Sequence, residues 1–358
     1  MGDLAVAEVC GRFGLGRAVT RGLRLAGYHH NEVWRIDTTT GAYAVKRLGW
    51  APSDTAIEIE RAALAAGVPM PGPVQETATG RYTAEIDGGV VRVHRWMDGR
   101  APGAADLTPA LARRVGALLS AVHRAGSAGP ARQAEAETAH TGTDTVHART
   151  DTAHTGTHTV HARTDTVHAG TDTVHAGTDT AHTGTDTVHA GTDTAHTGTH
   201  TVHAGADTAQ EEGRSRAVAP YPAGELLAAT ERPAGRGTPV RSHGDLHPKN
   251  ALLRSDGSLA LLDWDTAGGY LAEREAVGVA LDWATRVDGS FDLERFDAAV
   301  EGYREGGGKV PAEPWVFGGW ARGYLDFLGR AGEEEGERTQ ARLGMLATTL
   351  HDLVKRLA

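Results

Sequence analysis

Apolar and polar positions alternate over much of the first hundred residues, which is the pattern of strands that bury one face. Two such runs, 32–36 and 42–46, flank a Thr-Thr-Gly turn at 39–41 and predict a β-hairpin. A helix is predicted over 53–67, between a Ser-Asp start and a Gly that ends it. A further strand is predicted over 90–96. This part of the chain is therefore expected to be rich in β-structure.

The spacing of apolar residues changes to a helical period after this point. Residues 107–123 carry apolar side chains three or four positions apart and begin with a Thr-Pro pair. A short helix is predicted near 225–230, and a helical tail from about 314 to 358. Between them, 242–265 reads as a strand, a loop and a strand. We predict an α+β fold with a small β-rich first part and a larger, mainly helical second part.

A repeat of seven residues interrupts the helical part, with ten units between 138 and 207. The units lack the apolar a and d positions that a coiled coil needs. An odd period also moves each residue type to the opposite face of a continuing strand, which argues against strands. We expect a low-complexity insertion, 138–208, that is disordered because it cannot bury enough apolar surface. Each unit carries a histidine, but one imidazole per seven residues is sparse, so a metal-binding role is disfavoured.

Composition narrows the class of protein. The 358 residues are 40% hydrophobic and carry a formal net charge of -10, which argues against a nucleic-acid partner because phosphates are held mainly by Lys and Arg. Cys10 is the single cysteine, so an intrachain disulfide is excluded. We find no apolar stretch of about 18 residues and no signal peptide. We expect a soluble cytoplasmic protein without a membrane partner; the oligomeric state is left open.

The candidate chemistry is concentrated between 243 and 263. Asp245 is followed by Asn250, and Asp263 ends the next apolar strand, 259–262. An Asp, an Asn five residues later and an Asp after a hairpin match the arrangement of kinases. Phosphoryl transfer needs a carboxylate to take the proton of the acceptor hydroxyl, and it needs oxygen ligands for magnesium. The spacing therefore predicts Asp245 as catalytic base and Asn250 and Asp263 as metal ligands.

The first part of the chain offers a phosphate-binding lysine. Lys46 ends a strand, as the phosphate-binding Lys of kinases does. Glu60 lies on the following helix and is predicted to pair with Lys46, with Glu58 as the alternative. The turn from Gly27 to Asn31 is a weaker candidate for covering the phosphates with backbone N–H groups.

These motifs together resemble the aminoglycoside phosphotransferase and choline kinase family, over most of the chain outside the repeats. The resemblance is carried by Asn-Glu-Val-Trp-Arg-Ile at 31–36, Tyr-Ala-Val-Lys at 43–46, Gly-Val-Pro-Met-Pro at 67–71, His-Arg-Trp-Met-Asp-Gly at 94–99, His-Gly-Asp-Leu-His-Pro-Lys-Asn at 243–250 and Leu-Asp-Trp-Asp at 262–265. It implies a two-lobed protein-kinase-like fold. The lobes would be a nucleotide-binding lobe at 1–95 and a catalytic and substrate lobe formed by 96–137 and 209–358.

The resemblance also implies roles for individual residues. The strand that ends at Trp96 would be the hinge that receives adenine, with Val93, His94 and Trp96 as contacts. ATP and Mg²⁺ would be the cofactors. The family's Gly-Asp-Pro turn after the last motif is absent here, although Glu273 or Glu275 keeps a carboxylate near the start of the next helix.

The sequence thus predicts an ATP-dependent phosphotransferase that moves the γ-phosphate to a hydroxyl of a small molecule, an aminoglycoside among the candidates. Two alternatives stay open. One is a kinase of a metabolite, such as an amino alcohol, a sugar or a homoserine-like acceptor. The other is a nucleotide-binding pseudokinase whose insertion has removed the acceptor site. GTP as donor also stays open.

Overall fold

The structure is a computed structural model that describes residues 4–28, 31–127, 223–328 and 333–358, together with nine strands between 140 and 202. The chain forms two compact units. The first comprises Met1–Ala134, Gly224–Arg322 and Ala341–Ala358, and it contains every residue predicted to take part in catalysis. The second comprises Glu135–Ala223 and Gly323–Gln340.

The first unit begins with α1 (Val6–Arg12), β1 (Leu23–Tyr28), β2 (Asn31–Thr38), β3 (Gly41–Leu48), α2 (Asp54–Ala65), β4 (Ala84–Ile86) and β5 (Gly89–Arg95). The five strands form an antiparallel sheet in the order β1-β2-β3-β5-β4. The predicted hairpin is confirmed as β2 and β3, and the predicted strand over 90–96 is confirmed as β5. Ser53 caps the predicted helix, since its Oγ accepts a hydrogen bond from Ala56 N at 3.0 Å.

The two faces of this sheet differ in chemistry, as the alternation along the strands requires. One face is an apolar core to which α1 contributes, and it includes Trp34, Ile36, Val45 and Val93. The residues between these positions point to the other face. The register places Lys46 of β3 opposite Arg92 of β5, so the two cations lie side by side on that face.

The rest of the first unit is mainly helical, which confirms the predicted α+β class. The helices at 109–127 and 293–305 pack very closely through two glycines. A Cβ on Gly116 would lie 1.9 Å from Ala299 O, and a Cβ on Gly302 would lie 2.0 Å from Arg113 O. Among the described residues, no helix is long and apolar enough to cross a membrane. The helices of the chain from here on are α3 (Pro109–Ser127), α4 (Ala223–Ala229), α5 (Ala272–Ala284), α6 (Leu293–Glu305), α7 (Gly318–Leu328) and α8 (Glu333–Arg356).

The repeats form the strands β6 (His140–Val146), β7 (Arg149–Asp151), β8 (His154–Val160), β9 (Arg163–Asp165), β10 (His168–Val174), β11 (Gly177–Asp179), β12 (His182–Val188), β13 (Gly191–Asp193) and β14 (His196–Val202). These strands make two parallel sheets, in the spatial orders β6-β8-β10-β12-β14 and β7-β9-β11-β13. The expectation that an odd period excludes strands is wrong here. Neighbouring strands in each sheet are fourteen residues apart in the sequence, as His168 pairs with His182, so two units restore an even period and equivalent positions of the repeat pair.

Four short strands of the first unit hold the loops that carry the predicted chemistry. They are β15 (Pro239–Ser242), β16 (Ala251–Leu253), β17 (Leu259–Leu261) and β18 (Gly268–Leu271). β15 pairs with β18, and β16 pairs with β17, each antiparallel. The loop from β15 to β16 contains a short 3₁₀ turn, Pro248–Asn250. Because Leu262 N donates to Asn250 O at 2.9 Å, the β16–β17 hairpin places Asn250 beside the start of the Asp263 segment.

Candidate active site

The loop after β15 holds the predicted catalytic base in a defined orientation. The Asn250 Nδ2 donates to the Asp245 carboxylate Oδ2 at 2.8 Å and to the Asp245 carbonyl at 2.9 Å. The other carboxylate oxygen lies 3.6 Å from His247 Nε2. The Asp245 side chain is 45% exposed, so a substrate can reach it. A carboxylate that is oriented and accessible is suited to accept a proton from a bound hydroxyl group.

His243 links the loop that carries Asp245 to the segment that carries Asp263. Its Nε2 donates to Leu262 O at 2.8 Å, and its Nδ1 accepts from Asp245 N at 3.2 Å. A carbonyl can only accept and a backbone N–H can only donate, so these partners require the neutral tautomer with the proton on Nε2. Burial lowers the pKa of His243, which favours the same neutral form. The ring also packs against Trp264, with centroids 4.6 Å apart.

A buried carboxylate at the start of α5 supports the same loop. Glu275 Oε1 accepts from Ser242 Oγ and from Gly244 N, both at 2.9 Å. Its Oε2 lies 2.9 Å from Nε2 of the buried His123. Burial alone would raise the pKa of Glu275, but the hydrogen bond and charge of His123, with the bonds from Gly244 and Ser242, lower it. Glu275 therefore anchors the backbone immediately before Asp245.

The sequence left Glu273 and Glu275 as alternatives for this position, and the structure separates them. Glu273 accepts hydrogen bonds from Thr238 N at 2.8 Å and Thr238 Oγ1 at 2.6 Å, away from the loop. Only Glu275 of the two contacts the loop backbone in the described residues. The two carboxylates are two positions apart on one helix, so they point in different directions and no local pattern could distinguish them.

Gly244 is required by its surroundings. Its φ is +80°, a region that favours glycine, and a Cβ there would lie 2.0 Å from the Tyr270 hydroxyl oxygen. That hydroxyl donates to Thr266 O at 2.7 Å. Burial, together with the charges of Glu275 and Asp245, raises the pKa of Tyr270 to about 12, so it stays protonated at neutral pH. The glycine lets Tyr270 pack directly against the loop that carries Asp245.

Asp263 has a strained backbone at the end of the β16–β17 hairpin. Its φ is +62°, in the left-handed region, which Asp enters more readily than most residues. Strained positions of this kind cluster at functional sites. The side chain is 40% exposed. The conformation turns Asp263 out of the strand, and Lys46 Nζ lies 2.6 Å from its Oδ1.

The chemistry of Asn250 and Asp263 fits magnesium. The Asn250 amide nitrogen donates to Asp245, so its amide oxygen is the group that could bind a metal ion, and Asp263 offers a carboxylate. Within the described ranges, no group of three or more His, Cys, Asp or Glu is arranged to hold a metal ion. Magnesium does not need such a group, because it keeps several waters and is bound through one or two protein ligands and substrate phosphates.

Lys46 reaches the predicted metal site from the sheet. Besides Asp263, its Nζ contacts Oδ2 of Asp265. Burial alone would lower the pKa of Lys46, but the charges of Asp265 and Asp263 outweigh it and raise the pKa. The ammonium group is therefore charged at neutral pH. Two distant parts of the sequence, one on β3 and one after β17, meet at this contact.

The predicted pairing of Lys46 with Glu60 is wrong in this structure, and so is the alternative with Glu58. Glu60 contacts Arg92 Nη2, and its Oε1 lies 2.9 Å from His94 Nε2. Glu58 accepts from Arg241 at 2.9 Å. The reason is that Arg92 lies next to Lys46 in the sheet and has a longer, forked side chain. The Arg92 guanidinium therefore occupies the position beside Glu60 of α2.

The predicted adenine hinge has several of its backbone groups in use. Val93 O accepts from Val74 N at 2.8 Å, and Trp96 N donates to Ala42 O at 2.9 Å. The Val93 side chain belongs to the apolar core on the far face of the sheet. A contact between adenine and residues 93–96 stays a prediction, and it would have to involve groups other than these two.

Two hinge side chains and Asn31 have partners within the protein. His94 is bonded to Glu60, as described above. Trp96 Nε1 donates to Asp98 Oδ1 at 2.8 Å. Asn31 Oδ1 accepts from Gly49 N at 3.4 Å and so links the β1–β2 hairpin to the end of β3. The turn predicted to cover the phosphates includes residues 29 and 30, which lie outside the described residues.

The structure brings the predicted site residues into contact in pairs, Asn250 with Asp245 and Lys46 with Asp263. The family model of the phosphotransferase enzyme family (APH) matches residues 22–308. The chain belongs to this family. This confirms the resemblance predicted from the motifs. A search of curated proteins gave no match.

Solved structures of small-molecule kinases have the same fold. An amicoumacin kinase in complex with AMP-PNP, Ca²⁺ and amicoumacin is 13% identical, with 98% of this chain and 92% of that chain covered and a TM-score of 0.56. A spectinomycin phosphotransferase in complex with ADP and spectinomycin is 11% identical, with 100% and 98% covered and a TM-score of 0.56. A microcompartment-associated aminopropanol kinase is 13% identical, with 99% and 100% covered and a TM-score of 0.54. Such similarity establishes the protein-kinase-like fold.

Proposed function

We propose that this protein transfers the γ-phosphate of ATP to a hydroxyl group of a small molecule, with Mg²⁺ as cofactor. The observation that carries the proposal is the orientation of Asp245 by Asn250 in a loop whose neighbouring segment presents Asp263 to Lys46. A base, two oxygen ligands and a cation for phosphate oxygens are the groups that phosphoryl transfer needs. A lone cysteine and ATP as donor agree with a cytoplasmic location.

Each residue has one task in this proposal. Asp245 accepts the proton of the acceptor hydroxyl. The hydroxyl oxygen then forms its bond to the γ-phosphorus as the bond between that phosphorus and the bridging oxygen of ADP breaks. Asn250 and Asp263 would hold Mg²⁺, which supplies positive charge to the phosphate oxygens when it is bound. Lys46 contacts the carboxylates of Asp263 and Asp265 in this structure, and it would turn its ammonium group toward the phosphates when a nucleotide binds. His243 and Glu275 keep the loop backbone in place.

We propose a cationic acceptor, one that carries hydroxyl groups and a net positive charge from its amino groups. The support is the net charge of -10, which favours cationic ligands, and the fold shared with kinases of spectinomycin and of aminopropanol. An aminoglycoside is our first candidate and a simple amino alcohol the second. Sugars and homoserine-like acceptors form the comparison set, because they carry hydroxyl groups with little or no net positive charge.

The test is a screen of nucleotide consumption by the full chain. ATP and GTP are each offered with Mg²⁺ and a panel of aminoglycosides, amino alcohols, sugars and homoserine. Asp245→Asn should lower kcat at least about 100-fold while nucleotide binding persists, since proton transfer by a positioned side chain contributes about that much. The matched control is Asp256→Asn, an exposed aspartate in the β16–β17 turn that contacts Ser258.

The outcomes separate the alternatives. ATP consumption that depends on an acceptor with a net positive charge and on Asp245 supports the proposal. Consumption with sugars or homoserine alone would replace the acceptor class. Nucleotide binding without turnover on any acceptor would favour a pseudokinase, and equal turnover by wild type and Asp245→Asn would remove Asp245 from the mechanism.

A further inference from the structure

Four charged side chains form a continuous chain of contacts from α2 to the phosphate-binding lysine, and we call it the ion-pair relay: Glu60, Arg92, Asp265 and Lys46. Glu60 Oε2 contacts Arg92 Nη2. Arg92 Nη1 lies 2.6 Å from Asp265 Oδ1. The other oxygen of Asp265 contacts Lys46 Nζ. Each member of the relay therefore contacts the next.

The relay is largely shielded from water. The side chains of Glu60 and Arg92 are each 2% exposed, Asp265 is 11% exposed and Lys46 is 16% exposed. Buried charges are retained only when they are paired, and removing one partner leaves the other uncompensated. Within the described part of the chain, Arg92 Nε has no hydrogen-bond partner. The position of Arg92 is thus set by its two carboxylates.

The geometry of arginine explains why it occupies the middle of the relay. Kinases in general pair the strand lysine directly with a helix glutamate. Here Arg92 and Lys46 are cross-strand partners, and Arg92 lies between Lys46 and Glu60. A guanidinium presents N–H groups in a rigid planar fork, so its two terminal nitrogens can hold two carboxylates at a fixed separation. A lysine ammonium lacks this rigid fork.

We propose that Arg92 is a positioning residue that couples α2 to Lys46 through Asp265, in place of a direct Glu–Lys pair. The proposal rests on the proposed function, because it assigns the purpose of the relay to nucleotide binding at Lys46. Lys46 shares Asp263 with the predicted metal site. Asp265 is therefore the carboxylate that can remain with Lys46 when a nucleotide binds, and Arg92 holds Asp265 in place.

The experiment uses full-length protein and Mg²⁺ with AMP-PNP, followed by titration calorimetry and thermal melting. Arg92→Lys keeps the charge and loses the fork, so the protein should fold but the relay should break. Its Kd for the nucleotide should rise on the order of tenfold, the effect of one lost charge-assisted hydrogen bond. In turnover assays KM for ATP should rise more than kcat falls.

The matched control is Arg113→Lys. Arg113 also bridges two carboxylates, Glu301 and Glu305, but on the exposed surface of α3 and α6. Its Kd should equal that of the wild type. Glu60→Gln is then measured in the wild-type and Arg92→Lys backgrounds. If Arg92 transmits the effect of Glu60, Glu60→Gln weakens binding in the first background and changes little in the second.

Two results would overturn the proposal. Either Arg92→Lys binds the nucleotide like the wild type, or the effects of Glu60→Gln and Arg92→Lys simply add. Failure of the wild type itself to bind nucleotide is a different outcome, because it refutes the proposed function and the relay with it. A fall in melting temperature with an unchanged Kd would assign Arg92 a structural role only.

Discussion

Glu275 gives the sharpest test of how the catalytic loop is held. Its carboxylate accepts from Ser242 and Gly244 and contacts His123, all at 2.9 Å and away from water. Glu275→Gln keeps the shape of the side chain and removes the charge. Hydrogen bonds to charged groups contribute about 1 kcal/mol more than neutral ones, so three of them predict a loss of about 2–3 kcal/mol in the free energy of unfolding.

Thermal melting and turnover measure the two consequences separately. A loss of that size corresponds to a fall in Tm of roughly 5–10 °C for a unit of this size. The backbone at Gly244 directly precedes Asp245, and a misplacement of about 1 Å can lower the rate on the order of 100-fold. We therefore expect a clear fall in kcat together with the lower Tm.

Glu273→Gln is the control for this experiment. It also removes a carboxylate from α5, but its partner is Thr238 and not the loop. Its Tm should fall by less, since two contacts are affected, and kcat should not change. If Glu275→Gln melted with the wild type and kept full turnover, the loop would not depend on this anchor and our reasoning would be refuted.

Three further predictions address the metal, the pH dependence and the repeats. Asp263→Ala should weaken nucleotide binding in the presence of Mg²⁺, because a carboxylate ligand is lost; calorimetry that shows equal affinity with and without Mg²⁺ would contradict this. Burial lowers the pKa of His243, so the unfolded chain binds more protons below its ordinary pKa of about 6.5, and stability should fall as the pH falls below that value. Melting curves between about pH 5 and 8 should show this slope in the wild type and a smaller one in His243→Asn; parallel slopes would refute it. Replacing 138–207 by a short Gly/Ser linker should leave nucleotide binding intact, since the site belongs to the other compact unit and closing a long loop costs little; loss of binding would show that the repeats support the site, and hydrogen exchange would test whether their strands are protected.

Local patterns were enough to predict the elements that carry the chemistry. Alternation over 32–46 predicted the β2–β3 hairpin, because a strand with one buried face must repeat every two residues. The Asp245, Asn250 and Asp263 spacing predicted a loop followed by a hairpin that brings these residues together, since all three lie within one short segment. The repeats show the limit of this reasoning: an odd period excludes one continuous strand, but not strands that pair every fourteen residues.

The sequence by itself thus determined the fold class and the family and predicted the catalytic segment 243–263, because each rests on short motifs and periodic patterns that can be read locally. Only the tertiary structure decided which charges pair. Lys46, Arg92 and Asp265 come from three separate strands or loops, and their contacts depend on strand register and side-chain reach. Glu60 was correctly placed on its helix but given the wrong partner, because nothing near it in the sequence reveals that Arg92 lies between it and Lys46.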